Sequence, residues 1–164
     1  MLGRTGSPSI YIASLKHFIA KVILLDGKAT AQALQVGVRQ QAEALQAQRG
    51  TPPHLAVVLI GDDPASHTYV SAKRRACQAI GIRSTLIQKE DIQAPDLLQT
   101  IEEINRDKAI DGLIIQLPLP PHIDVQTVIQ HISPDKDVDG FHALNYGRMA
   151  CNLTAHIPAT PLGI

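Results

Sequence analysis

The sequence predicts an α/β domain of three layers, helix on sheet on helix, around a mainly parallel sheet. Two observations carry this. Between residues 54 and 131, short runs rich in Val, Ile and Leu alternate with segments whose apolar residues recur every three or four positions. Such alternation of strand and helix is how a parallel sheet is wound. One run, His54–Ile60 (HLAVVLI), is apolar almost throughout, as a strand covered on both faces must be.

The elements follow in order. The short apolar segment Val22–Leu25 ends in a turn at Asp26-Gly27. Thr30 can cap a helix running to about Arg49, with Ala31, Leu34, Val38, Ala42 and Leu45 along one face. Gly50 ends it and Pro52-Pro53 prevents its resumption. After the strand His54–Ile60, the turn Gly61-Asp62-Asp63-Pro64 leads into a helix over 65–80. A second strand spans 82–88. Pro95 sits in the first turn of a helix reaching Asp107. A third strand, 112–117, is halted by Pro118, Pro120 and Pro121, and a short helix covers 125–131. In such sheets the ligand cleft lies beyond the carboxyl ends of the strands.

At 164 residues the chain has the length of one domain that buries a core without disulfides or metals. Lys plus Arg and Asp plus Glu are equal at 15 each, which argues against a nucleic-acid binder. Aromatics at 3% leave little for base stacking. No apolar run is long enough to span a bilayer: Phe18–Leu25 is short and interrupted by Lys21. Cys77 and Cys151 belong to no Cys/His cluster, as expected of reduced thiols in a cytoplasmic protein. Residues 1–21 read as a poorly structured extension. Its basic, Ser- and Gly-containing start also has the flavour of a transit peptide.

Three features carry chemistry. On the helix after the first strand, Tyr69, Val70, Lys73, Cys77 and Ile80 share one side, while Ser71, Arg74, Arg75 and Gln78 fall opposite. Lys73 is the one charge in that apolar stripe, one turn from Tyr69. It either snorkels to water or is a partly desolvated amine, which loses its proton more easily and serves as a general base. Gln116, ending an apolar strand, either bonds nearby backbone or faces the cleft, where its amide could accept from a neutral lysine. Asp135-Lys136-Asp137-Val138-Asp139-Gly140 copies the start of a calcium loop, but the twelfth position is Tyr146 instead of Glu. A solvated acidic turn remains, or a carboxylate for a ligand with adjacent N–H donors, with Gly140 turning the backbone behind Asp139. The seven histidines form no metal-binding pattern. Tyr-x-x-x-Lys also occurs in short-chain dehydrogenases, but the glycine-rich loop they require is missing.

Four segments together resemble the bifunctional methylenetetrahydrofolate dehydrogenase/methenyltetrahydrofolate cyclohydrolase family. Gly61-Asp62-Asp63-Pro64-Ala65-Ser66 with Tyr69 and Lys73 is similar to its first block. Asn105, Asp107 and Leu113–Pro120 are similar to the second, and Pro134–His142 with Asn145 and Gly147-Arg148 to the third. Pro158–Ile164 resembles the segment that starts the helix between the family's domains, with Ala159 replacing its cysteine. The match covers roughly 22–164.

The resemblance implies the fold of an aminoacid dehydrogenase-like N-terminal domain. It implies oxidation of 5,10-methylenetetrahydrofolate with NADP and hydrolysis of the methenyl product to 10-formyltetrahydrofolate. It makes Lys73 the acid/base, Gln116 the amide that keeps it neutral, Tyr69 a stacking surface along the folate, and Asp139 the acceptor for the pterin. Ser66, Ile115 and Leu117 would line the same cleft, and Thr160 is a weak candidate near the cofactor. The family's NADP-binding Rossmann half, which dominates its homodimer, and its returning last helix lie beyond Ile164. The expectations are therefore a folate-binding catalytic half, no metal, no NADP-dependent hydride transfer by this chain alone, and exposed apolar surface where the rest would dock. The alternative is an inactive fragment or a non-catalytic folate-binding module.

Overall fold

A computed structural model of the chain describes residues 25–162. The expected extension 1–21 and the apolar residues 22–24 lie outside the described residues. The chain divides into two units, 1–33 and 34–164. Of the first, residues 25–33 are described. There Asp26, not Thr30, starts helix α1 (Gly27–Arg49). The Asp26 carboxylate accepts from Ala29 N at 2.9 Å, and the Thr30 hydroxyl donates to the Asp26 carbonyl at 2.9 Å. Aspartate is as good a cap as threonine, so Asp26-Gly27 begins the helix instead of forming a separate turn.

The second unit is the α/β/α body. Its sheet has three parallel strands in the order β2-β1-β3: β1 (His54–Ile60), β2 (Arg83–Lys89) and β3 (Gly112–Ile115). Val57 sits opposite both Leu86 and Ile114, and Val58 opposite Ile87 and Ile115. Strand alternation then sends each set to one face. Ala56, Val58, Ile60, Leu113 and Ile115 pack on Leu97, Ile101 and Ile104 of α3 (Ala94–Arg106) and Val128 of α4 (Val125–His131). Val57, Leu59 and Ile114 pack on Val70 of α2 (Pro64–Ala79). Both faces are covered, which is why β1 is apolar at nearly every position.

Three expectations shift. The third strand stops at Ile115, not Leu117. Gln116 N still donates to Val58 O at 2.8 Å, but Pro118 has no N–H to extend the ladder, and the Leu117–Pro118 peptide is cis. A helix that the spacing does not predict, α5 (Ala143–Ala150), starts at His142, whose Nδ1 accepts from Leu144 N at 3.0 Å. A last turn, α6, covers Ala159–Leu162. The apolar stripe of α1 is mostly uncovered: Ala42 is buried, whereas Leu34, Val38 and Leu45 are exposed. Both cysteines are free thiols, and no described helix is long and apolar enough to cross a membrane.

Candidate active site

Three pieces of chain carry the candidate residues: α2, the end of β3 and the aspartate-rich turn. The first is α2. Its start is fixed by Asp63, whose carboxylate accepts from both the backbone N–H and the hydroxyl of Ser66, each at 2.7 Å. The Ser66 hydroxyl holds that carboxyl below the usual range, and Pro64 occupies the first turn, where a missing N–H costs nothing. One turn on, Val70 is buried against the sheet, Cys77 is buried further along, and Lys73 lies between them, half-buried. Burial raises the Cys77 thiol pKa. Tyr69, at the edge of the stripe, is 64% exposed.

The second piece is the end of β3. Lys73 Nζ donates to Gln116 Oε1 at 3.2 Å, and Gln116 Nε2 donates to Leu117 O at 2.7 Å. The second bond fixes the rotation of the amide. With the NH₂ held by a carbonyl, the oxygen is the group left facing the amine. Leu117 lines a 540 Å³ pocket with Val125, Ile129, Phe141 and Tyr146.

The third is the aspartate-rich turn. Asp137 is 2% exposed and is held by three donors: Phe141 N at 3.2 Å, His142 N at 2.8 Å and Asn145 Nδ2 at 2.9 Å. Leu113 N donates to Lys136 O at 2.7 Å, which ties the turn to β3. Lys136 Nζ caps α3 through Ile104 O and Asp107 O, both at 2.6 Å. Burial is the main cause lowering its pKa, against the attraction of Asp107. Gly140 has φ +70°, and a β-carbon there would meet His156 O at 2.5 Å. This turn presents Asp139, half-buried. Burial raises its carboxyl pKa; Lys73 opposes the rise and Asp137 adds to it.

Lys73 and Gln116 are thus brought together, Leu117 is joined to them through the amide, and Tyr69 is exposed one turn from the lysine. Ser66 is buried with its hydroxyl on Asp63. The Ile115 side chain lies in the core beneath α3. Thr160 is exposed on α6. Sequence reasoning passed over Asp137 and Asn145, since an acidic turn looks the same whether its carboxylates face water or backbone N–H groups. Other motif residues serve the frame: Asn105 accepts from Ser133 N at 2.9 Å and donates to His131 O at 2.8 Å, joining α3 to the end of α4.

The family model described as tetrahydrofolate dehydrogenase/cyclohydrolase, catalytic domain, matches residues 25–139. The chain belongs to this family. Among relatives of this tetrahydrofolate dehydrogenase/cyclohydrolase domain, the bifunctional protein FolD of Amoebophilus asiaticus is 56% identical over 144 residues, covering 87% of the chain and 48% of the relative. The crystal structure of the bifunctional dehydrogenase/cyclohydrolase FolD from Campylobacter jejuni superposes with a TM-score of 0.83 at 40% identity, covering 86% of the chain and 50% of that protein. The Trypanosoma brucei FolD structure, complexed with NADP cofactor and inhibitor, gives a TM-score of 0.78 at 29% identity, covering 83% and 47%. The domain thus spans about half the length of the curated relatives it matches.

Proposed function

We propose that this chain holds a tetrahydrofolate derivative across the carboxyl ends of β1 and β3 and moves the proton when a methenyl group is hydrolysed to 10-formyltetrahydrofolate. It does so within an enzyme that also oxidises 5,10-methylenetetrahydrofolate with NADP. The Lys73–Gln116 hydrogen bond carries this reading. Lys73 takes a proton from the water that adds to the methenyl carbon and returns it as the ring opens. Gln116 fixes the amine's direction. Asp139 meets the adjacent N–H donors of the pterin with its two oxygens, and the exposed ring of Tyr69 offers a face for stacking.

NADP supplies the hydride acceptor in the whole enzyme. The described residues do not fit its pyrophosphate. The turn after β1 carries Asp62 and Asp63, and the Asp63 carboxylate already occupies the N-terminus of α2. A dinucleotide site needs glycines and free N–H groups there. No hydride step is therefore assigned to these side chains. The whole enzyme is proposed to act as a homodimer in the cytoplasm; two free thiols are in keeping with that compartment.

The test separates an enzyme from a binding module. Folate binding to the chain is followed by calorimetry and methenyl hydrolysis by absorbance. Lys73→Met should retain binding and slow hydrolysis by about 10²–10⁴-fold, the usual weight of a positioned base. Asp139→Ala should lose binding. Hydrolysis unchanged in Lys73→Met would overturn the role given to the amine.

A further inference from the structure

Lys136 begins the stretch that leads to Asp139, and both its backbone and its side chain are held. Its N–H donates to Ser133 O at 2.8 Å, and its carbonyl accepts from Leu113 N of β3 at 2.7 Å and from Val138 N at 3.0 Å. Its ammonium donates to Ile104 O in the last turn of α3 and to Asp107 O at that helix's C-terminal cap, each at 2.6 Å. These carbonyls lie at the negative end of the helix, where a cation is favoured. The ammonium still loses hydration: Lys136 is half-buried, and burial is the main cause lowering its pKa. Asp107 and Asp111 attract it, yet among the described residues it forms no ion pair. What it gains instead is two short charge-assisted bonds to backbone, which are directional.

We propose that Lys136 is a positioning residue for folate binding: by clamping the aspartate-rich turn between α3 and β3, it sets where the Asp139 carboxylate stands. This rests on the reading of Asp139 as the acceptor for the pterin. Lys136 acts through Asp139 and not on the ligand, because its ammonium is taken up by the two carbonyls. Little slack separates the two residues. Val138 N is tied back to Lys136 O, and Gly140 N to Asp137 O at 3.2 Å. A carboxylate that meets paired N–H donors works over a narrow range, about 2.7–2.9 Å for each charge-assisted bond. Loosening the clamp therefore costs affinity at Asp139 while leaving the Lys73–Gln116 bond, on α2 and the end of β3, in place.

The test is a double-variant cycle on the affinity of the chain for 5-formyltetrahydrofolate, measured by calorimetry, with Lys136→Met, Asp139→Asn and both together. Lys136→Met should weaken binding about tenfold, the weight of one charge-assisted bond. In the Asp139→Asn background the same change should cost less than about twofold, since the group it positions is already gone. Asp124→Ala serves as a purely structural control. It removes the cap of α4, where the carboxylate accepts from Thr127 N at 2.7 Å and Thr127 Oγ1 at 2.6 Å. It should lower the urea midpoint, as Lys136→Met does, but leave the folate affinity unchanged. Lys136→Arg keeps the charge without the ammonium's geometry; it should show the same pattern with a smaller loss, and it carries the test if Lys136→Met does not fold. An unaltered affinity in the Lys136 variants beside a weakened Asp139→Asn would overturn this proposal alone. So would losses that multiply in the double variant, or an equal loss in Asp124→Ala. Asp139→Asn binding as tightly as the parent would overturn the folate reading of Asp139, and the role of Lys136 with it.

Discussion

Replacing Asp137 by alanine removes the acceptor on which the active-site turn is built. Its two oxygens receive Phe141 N, His142 N and Asn145 Nδ2 at 3.2, 2.8 and 2.9 Å, in a position 2% exposed. Asn145 is itself 1% exposed and retains one other bond through that nitrogen, to Pro134 O at 3.0 Å. A buried donor left without a partner costs about 1–3 kcal/mol. Two backbone N–H groups lose their acceptor fully and the amide loses half of its pairing. Water admitted to the vacated volume recovers part of that loss. The expected destabilisation is therefore about 3–4 kcal/mol, toward the upper end for a single substitution. With a urea m-value of about 1–3 kcal/mol/M for a domain of this size, the midpoint should fall by roughly 1–4 M. Because Asp139 lies two residues on, folate binding should weaken in the same variant under conditions where it remains folded. A midpoint shift under about 0.5 M would refute the claim that these three bonds hold the turn.

Further outcomes follow from the same geometry. Asp139 has a raised carboxyl pKa, chiefly through burial. Its favourable contribution is present below the ordinary value of 3.8 and is lost as pH rises through the raised value. Asp139→Asn should therefore melt higher than the parent at pH 7, converge with it in acid, and bind folate more weakly. Thermal melts across pH check this. Gly140→Ala combines a left-handed φ with a clash against His156 O; a loss of about 2–4 kcal/mol by urea denaturation is expected. Asp111 is bonded by Arg49 through both oxygens at 2.6 Å and accepts from the buried His54 N at 2.7 Å. Those bonds lower its pKa, Arg49 first, so its contribution is present above the ordinary carboxyl range and fades as pH falls through the lowered value. Asp111→Ala should cost about 1–3 kcal/mol at neutral pH through the unpaired N–H of His54, and the deficit should shrink in acid.

The middle of the fold is legible because its signals are strong and local. His54–Ile60 is apolar on both sides of the pleat, and the structure places it as the central strand. The spacing Leu97, Ile101, Ile104 marks the buried face of α3. Signals fail where burial is decided by distant chain. The stripe of α1 has helical periodicity, yet Leu34, Val38 and Leu45 remain exposed, since periodicity states which residues share a face but not what covers it. Helix α5 was hidden because its cap is a histidine and Gly147 interrupts its interior. In the candidate site, Lys73 stands out as one charge in an apolar stripe, and Gln116 as a polar end to an apolar strand. That Nζ meets Oε1 is a long-range fact, fixed by the packing of α2 on β1 and the pairing of β1 with β3. Asp137 and Asp139 are indistinguishable by spacing. Only the backbone decides that the first is enclosed by N–H groups while the second is left half-buried two residues on.

Whether Lys73 and Gln116 act as one unit is most directly measured by a double-variant cycle on methenyl hydrolysis, using Lys73→Met, Gln116→Leu and both together. If the amide works by orienting the amine, its loss should cost about tenfold or more in the parent and almost nothing once the amine is gone. Rate losses that simply multiply in the double variant would show two independent residues and contradict the assignment.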